Sequence, residues 1–298
     1  MRGRAGSAEP LPRRMSAEET AAPAAPVFSL RRAALAYGDR VVWRDLNLDV
    51  RAGEFLAVLG PNGSGKTSLL RVLLGRQQLT GGSASVLGGS PCRSGTRIGY
   101  VPQHTSLPAH TALRARDLVR LGLDGHRWGP PRASAAARRR VEELLALVGA
   151  TPYADAPVAR LSGGELQCVR IAQALAADPR ILLCDEPLLS LDLNHQRSVT
   201  ALVDRWRRCA GTAVVFVTHE INPVLGMADR VLYLAHGGFR VGPPDEVMTS
   251  AALSRLYGTR VDVVRVRDRI IVVGAPDEST VHDRAAGHGE GSNGNALS

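Results

Sequence analysis

Gly60-Pro61-Asn62-Gly63-Ser64-Gly65-Lys66-Thr67 follows directly on the apolar run Phe55-Leu56-Ala57-Val58-Leu59. A glycine, four residues, then Gly-Lys-Thr between a strand-like and a helix-like segment is the spacing of a phosphate-binding loop. Its glycines let the backbone curl until successive N–H groups face one point, where phosphate oxygens can be received. The helix opening near Lys66 adds its positive end. In that chemistry Lys66 reaches the β- and γ-phosphates, and Thr67 offers its hydroxyl to Mg²⁺. Among 37 basic residues Lys66 is the sole lysine. A compact ammonium is kept where a planar guanidinium would not fit the cradle.

Three further groups suit the same chemistry. Ile181-Leu182-Leu183-Cys184 runs into Asp185-Glu186, which reads as a buried parallel strand ending in two acids at the carboxyl edge of a sheet, where ligands bind in open α/β sheets. Asp185 is placed to hold the Mg²⁺ shell and Glu186 to polarise a water attacking the γ-phosphate. Ala213-Val214-Val215-Phe216-Val217 is a second such strand, with His219 just past its end. A lone histidine is more often structural, but at that edge it reads as functional. Leu161-Ser162-Gly163-Gly164-Glu165 precedes an apolar-periodic helix. Ser162 and Glu165 form a capping box. Two glycines in a first helical turn are costly, and they bare backbone N–H groups at a positive helix end, as an anion site requires.

The elements that must carry these residues follow in order. Residues 1–26 are rich in Ala, Pro, Glu and Arg without periodicity and read as a disordered tail. Short strand-like pieces are expected from Val27 to about Val50, with Tyr37 before a Gly38-Asp39 turn. A helix follows Thr67 and stops at Gly75. Strands are expected at 81–87 and 97–101, the latter leading through Pro102 to Gln103. From about 104 to 177 the pattern turns helical, interrupted at Pro130-Pro131. Arg138-Arg139-Arg140 reads as a solvated face of one of these helices. A helix over 250–257 and a β-hairpin over 261–273 form an appendage. The chain from 275 to 298 is polar, Gly-rich and read as disordered; His282 and His288 there lack a ligand spacing.

Composition bounds the rest. With 298 residues and 44% apolar content the chain can bury a sizeable core. No apolar run approaches the ~18–20 residues of a membrane span, and the N-terminus carries no secretory pattern. The formal charge of +9 raises nucleic acid or an anionic membrane face as partners. The arginines read instead as dispersed over solvated surface, and no specific nucleic acid partner is expected. Cys92, Cys168, Cys184 and Cys209 have no Cys-x-x-Cys spacing and read as reduced thiols of a cytosolic chain.

In order and context, Tyr37, the phosphate loop, Gln103, Leu161–Glu165, Asp185-Glu186, Ser190-Leu191-Asp192 and His219 resemble an ABC-type ATPase subunit over residues 27–250. The resemblance implies an α/β fold: a P-loop NTPase core with an antiparallel β subdomain and a helical insertion. It implies ATP held by Tyr37 stacking on adenine and by Gly60, Pro61, Asn62, Gly63, Ser64, Gly65, Lys66, Thr67 and Ser68. Mg²⁺ would be held by Thr67, Gln103 and Asp185. Gln103 would also sense the attacking water, Glu186 would be the base, and His219 would contact the γ-phosphate. In such subunits two copies face head to tail, so Ser162, Gly163, Gly164 and Glu165 of one close on the ATP of the other, with Asp192 on the seam. The other partners implied are membrane permease subunits and, indirectly, an extracytoplasmic substrate-binding protein, with the chain peripheral at the cytoplasmic face of the membrane. Thr218–Leu225, Glu165 and Asp117–Gly122 bring the resemblance closer to ATP-binding subunits of zinc or manganese uptake systems. Two departures stand out. Cys168 replaces a customary arginine and Leu188-Leu189 a more polar pair, and neither is expected to touch the chemistry. A soluble ABC ATPase working on nucleic acid or ribosomes is the alternative, opposed by a single phosphate loop and a short insertion without heptads.

Overall fold

A computed structural model describes residues 25–91, 97–103, 112–125, 134–189 and 191–274. Residues 1–24 and 275–298 of the two expected tails, Cys92, residues 104–111, Pro130-Pro131, Ser190, His282 and His288 lie outside the described residues.

The elements are β1 (Phe28–Tyr37), β2 (Arg40–Val50), β3 (Phe55–Leu59), α1 (Lys66–Leu73), β4 (Gly81–Val86), β5 (Ile98–Val101), α2 (Ala115–Asp124), α3 (Ala135–Leu147) and α4 (Gly163–Leu175). Then come β6 (Ile181–Asp185), α5 (Leu193–Ala210), β7 (Ala213–Val217), β8 (Arg230–Ala235), β9 (Gly238–Gly242), α6 (Pro244–Val247), α7 (Ser250–Tyr257), β10 (Asp262–Val266) and β11 (Arg269–Val273). A six-stranded sheet runs in the order β5-β6-β7-β3-β8-β9, parallel except for β9. An antiparallel sheet β2-β1-β4 and the β10–β11 hairpin accompany it. This is an α/β architecture with β3, the strand ahead of the phosphate loop, inside the parallel sheet.

The first two strands correct the expectation of several short pieces: they are ten and eleven residues long. The polar residues that look like breaks are irregularities inside them. Arg32 and Asp45 take positive φ of 43° and 55°, and the β1–β2 register shifts between Leu30 and Ala33. A bulge of this kind bends a strand without ending it.

The central strands read as unbroken apolar runs because both faces of the parallel sheet are covered. Phe55, Ala57, Leu59, Leu182, Cys184, Val214 and Phe216 enter a core shared with α2 to α5 and α7. Their alternates Leu56, Val58, Ile181, Leu183, Val215 and Val217 enter a second core with α1 and the antiparallel sheet. Phe55 and Phe216 stack at 5.6 Å with no exposed surface; truncating either to alanine should cost about 3–5 kcal/mol. The α3 arginines are not all solvated as expected. Arg139 is exposed beside Glu143, but Arg140 lies over the Trp206 ring at 5.5 Å and pairs with Asp178. Cys184 is fully buried, and burial drives its thiol far above the ordinary range; Cys168 is partly buried and Cys209 exposed.

Candidate functional site

Strands β3, β6 and β7 end side by side, and each delivers its following residues to one edge: Thr218 N–H donates to Val58 O at 3.1 Å, and Glu186 N–H to Val217 O at 3.0 Å. The phosphate loop leaves β3 there. Gly60 has φ 142°, and a Cβ on it would lie 2.1 Å from the Leu234 carbonyl oxygen. Gly65 has φ 96°, with Val42 Cγ1 2.2 Å from the same position. Both glycines are therefore required by backbone conformation and by close packing. Lys66 is buried and its Nζ donates to Gly60 O at 2.8 Å and Pro61 O at 3.0 Å. The buried Ser64 hydroxyl has no protein partner. Ammonium, inward loop and an unsatisfied hydroxyl together suit a polyanion.

Across the loop, the acids of β6 divide the work. Thr67 Oγ1 donates to Asp185 Oδ1 at 3.2 Å and Tyr100 OH to Asp185 Oδ2 at 3.4 Å. Burial raises the Asp185 carboxyl above its usual range, against these hydrogen bonds, and the neighbouring Glu186 charge raises it further. A buried carboxylate held at that cost beside a threonine hydroxyl is a good partner for a cation. Glu186 has φ 49°, a strained region for a residue with a long side chain. That turn aims its carboxylate along the cleft. Oε2 accepts from Gln103 Nε2 at 2.9 Å, and Oε1 lies 2.6 Å from His219 Nε2.

Gly65, Lys66, Thr67, Gln103, Glu186 and His219 line an open cleft of about 620 Å³ together with Tyr37, Ser68 and Asn62. Gly60, Ser64 and Asp185 lie behind that lining, Asp185 joined to it by its bond from Thr67. Tyr37 is 46% exposed, its OH 3.2 Å from Ser68 Oγ, so its ring is free to meet a flat ligand. Sequence reasoning missed Arg40 and Val42, which also line the cleft. Arg40 donates to Gly63 O at 3.2 Å, and its place just after the hairpin turn was the available signal. Leu189 corrects another expectation. It lines the cleft with Glu186 and His219, because β6 ends there and the Pro187-Leu188-Leu189 turn folds back over the edge.

Ser162, Gly163, Gly164, Glu165 and Asp192 do not line that cleft. They form a second cluster. Ser162 Oγ accepts from Glu165 N, and Glu165 Oε2 from Ser162 N at 2.8 Å, closing the capping box. The Ser162 N–H holds the Glu165 carboxyl below its usual range. Asp192 caps α5 by accepting from Asn194 N and His195 N, and its Oδ2 lies 2.5 Å from His195 Nδ1. These contacts, led by the His195 N–H, depress the Asp192 carboxyl. The His195 ring in turn covers Gly164, where a Cβ would lie 2.8 Å from Cδ2. Cys168 packs behind this turn, and burial raises its thiol.

The model of the ABC transporter family matches residues 43–189. The chain is 35% identical over 254 residues to the zinc import ATP-binding protein ZnuC of Halorhodospira halophila, covering 85% of this chain and 89% of that one. It is equally similar, at 35%, to the hemin import ATP-binding protein HmuV of Thermobifida fusca, over 80% and 84% of the two chains. Other relatives, at 40% and 36%, carry sulfate/thiosulfate and spermidine/putrescine import names. An inward-facing metal-chelate type ABC transporter matches with a TM-score of 0.71 at 29% identity, over 83% of this chain and 96% of that one. A dimeric ATP-binding cassette in a post-hydrolysis state with ADP and Pi matches at 0.64 and 28%, over 72% and 98%.

Proposed function

This chain belongs to the ABC transporter family of ATP-binding subunits, and on that premise we propose that its ATP hydrolysis drives import of a metal ion through membrane permease subunits. The observation that carries the hydrolytic reading is the Glu186 carboxylate, strained into the cleft and gripped by Gln103 and His219. In this reading Lys66 and the loop N–H groups bind the β- and γ-phosphates, and Tyr37 stacks on the base. Glu186 takes the proton of the attacking water, Gln103 orients that water, and His219 contacts the γ-phosphate. Thr67, Asp185 and Gln103 are the side chains suited to Mg²⁺, which when bound neutralises charge between the phosphates. Mg²⁺ needs only one or two carboxylates beside the phosphates and water, as this cleft provides.

The separation of the two clusters supports a head-to-tail homodimer. A second copy would bring Ser162, Gly163, Gly164, Glu165 and Asp192 to the open side of the cleft, as the dimeric cassette encourages. No described helix is long and apolar enough to cross a membrane. Attachment at the cytoplasmic face is therefore assigned to permease subunits seated near Gln103 and α2 to α4, with an extracytoplasmic binding protein acting only through them. Metal-ion cargo is supported by the zinc import relative. Cells lacking the chain should lose high-affinity zinc or manganese accumulation, measured by mass spectrometry of cell metal. The wild-type chain should restore it and the Glu186→Gln chain should not. Unchanged metal content with lost uptake of a chelate, sulfate or polyamine would refute this cargo.

A further inference from the structure

We propose that the C-terminal hairpin is a positioning element for hydrolysis, acting on His219 through Asn222. The inference rests on the reading of His219 as a γ-phosphate contact. Asn222 lies three residues past His219, and its side chain makes a two-way contact with Ile270 of β11. Nδ2 donates to Ile270 O at 2.9 Å, and Oδ1 accepts from Ile270 N at 2.8 Å. That pair copies the exchange between neighbouring antiparallel strands, so the loop behind His219 is joined to the hairpin as a third strand would be.

The rest of the loop is held differently. Thr218 Oγ1 closes a local turn with Glu220, and Ile221 and Val224 are buried anchors. Beside it lies a cavity of about 430 Å³, lined by the loop itself, by Pro61 and Asn62 and by Ile271 and Val272 of the hairpin. Space next to a functional loop permits alternative positions, and a tether across it selects one. The hairpin can serve as that tether because it is itself fixed. A two-stranded hairpin is marginal alone, but here Ser250 Oγ accepts from Val263 N at 2.8 Å and Ser254 Oγ from Val261 N at 2.9 Å. Arg265 pairs with Asp245 at 2.7 Å, and Ile270 is 4% exposed.

The test is a mutant cycle on the full chain, read as kcat and KM for ATP. Asn222→Ala removes both hydrogen bonds and should lower kcat about fivefold or more while KM changes less than about twofold. On a His219→Ala background the same change should add less than about twofold, since a residue acting through His219 has nothing left to position. Ser250→Ala loosens the far anchor of the hairpin, leaves the loop untouched, and should lower kcat by about two- to threefold with the same dependence on His219. It decides the matter if Asn222→Ala does not fold. Equal losses with and without His219, a loss confined to KM, or wild-type kcat in the folded variants would overturn the inference. A His219→Ala chain with wild-type kcat would instead defeat the role given to His219.

Discussion

Replacing Glu186 by glutamine separates binding from hydrolysis. The carboxylate accepts at both oxygens, from Gln103 Nε2 at 2.9 Å and from His219 Nε2 at 2.6 Å. A glutamine keeps its oxygen toward the His219 N–H, and its new amide then meets Gln103, which can turn its own amide over to accept. The shape and the hydrogen bonds survive, and only the proton acceptor is lost. General-base help is worth about 10²–10⁴-fold, or ~3–5 kcal/mol of barrier. ATP should still bind through Lys66, Thr67 and Asp185, so the variant should accumulate as an ATP-bound dimer. Phosphate release gives the rate, and size exclusion with ATP and Mg²⁺ gives the assembly. Adding Ser162→Arg places bulk and charge at the closing face and should return the protein to monomer. Wild-type turnover by Glu186→Gln would refute the catalytic assignment. A dimer that persists with Ser162→Arg would refute the head-to-tail geometry.

Lys66→Ala should abolish ATP binding in titration calorimetry, and Lys66→Arg should impair it, because the fork cannot follow the ammonium between the Gly60 and Pro61 carbonyls. Asp185→Asn should raise Tm by about 1–4 °C at pH 7 while ATPase activity is lost. With its folded pKa raised, Asp185 binds protons more tightly folded than unfolded, so its ionisation costs stability as pH rises through that interval, and the amide removes the cost. The gain should fade in melts taken below the ordinary carboxylate range. Gly164→Ala should displace the His195 ring from the Ser162–Glu165 turn, cutting ATPase activity by about tenfold or more with little change in Tm. An active Gly164→Ala chain would show that the Asp192–His195 contact is dispensable.

The phosphate loop, the acid pair and the strand-end histidine were legible because each is a contiguous run whose neighbours announce the element that carries it. An apolar strand, a sharp end and a polar residue describe a sheet edge in one dimension. The first two strands are longer than expected because they continue through the polar Arg31-Arg32 and Arg44-Asp45. Only pairing across the sheet turns them into irregularities within longer strands. The contacts of Asn222 with Ile270, of His195 with Gly164 and of Arg140 with Trp206 join residues 31 to 66 positions apart or on different helices. No local period records such meetings. Leu189 was misjudged for a related reason: its chemistry is bland, and its location past the end of β6 is what brings it to the cleft.

The one lysine has a consequence beyond phosphate binding. Reductive methylation selects aliphatic amines over guanidinium, thiol and phenol groups, so the phosphate loop holds the only side chain in these 298 residues that it modifies, the α-amino group apart. Lys66 is 5% exposed and tied to two loop carbonyls, which shields it while the loop is closed. Its labelling, read as the mass increment on the peptide that carries Lys66, therefore clocks the opening of the nucleotide cradle without any engineered probe.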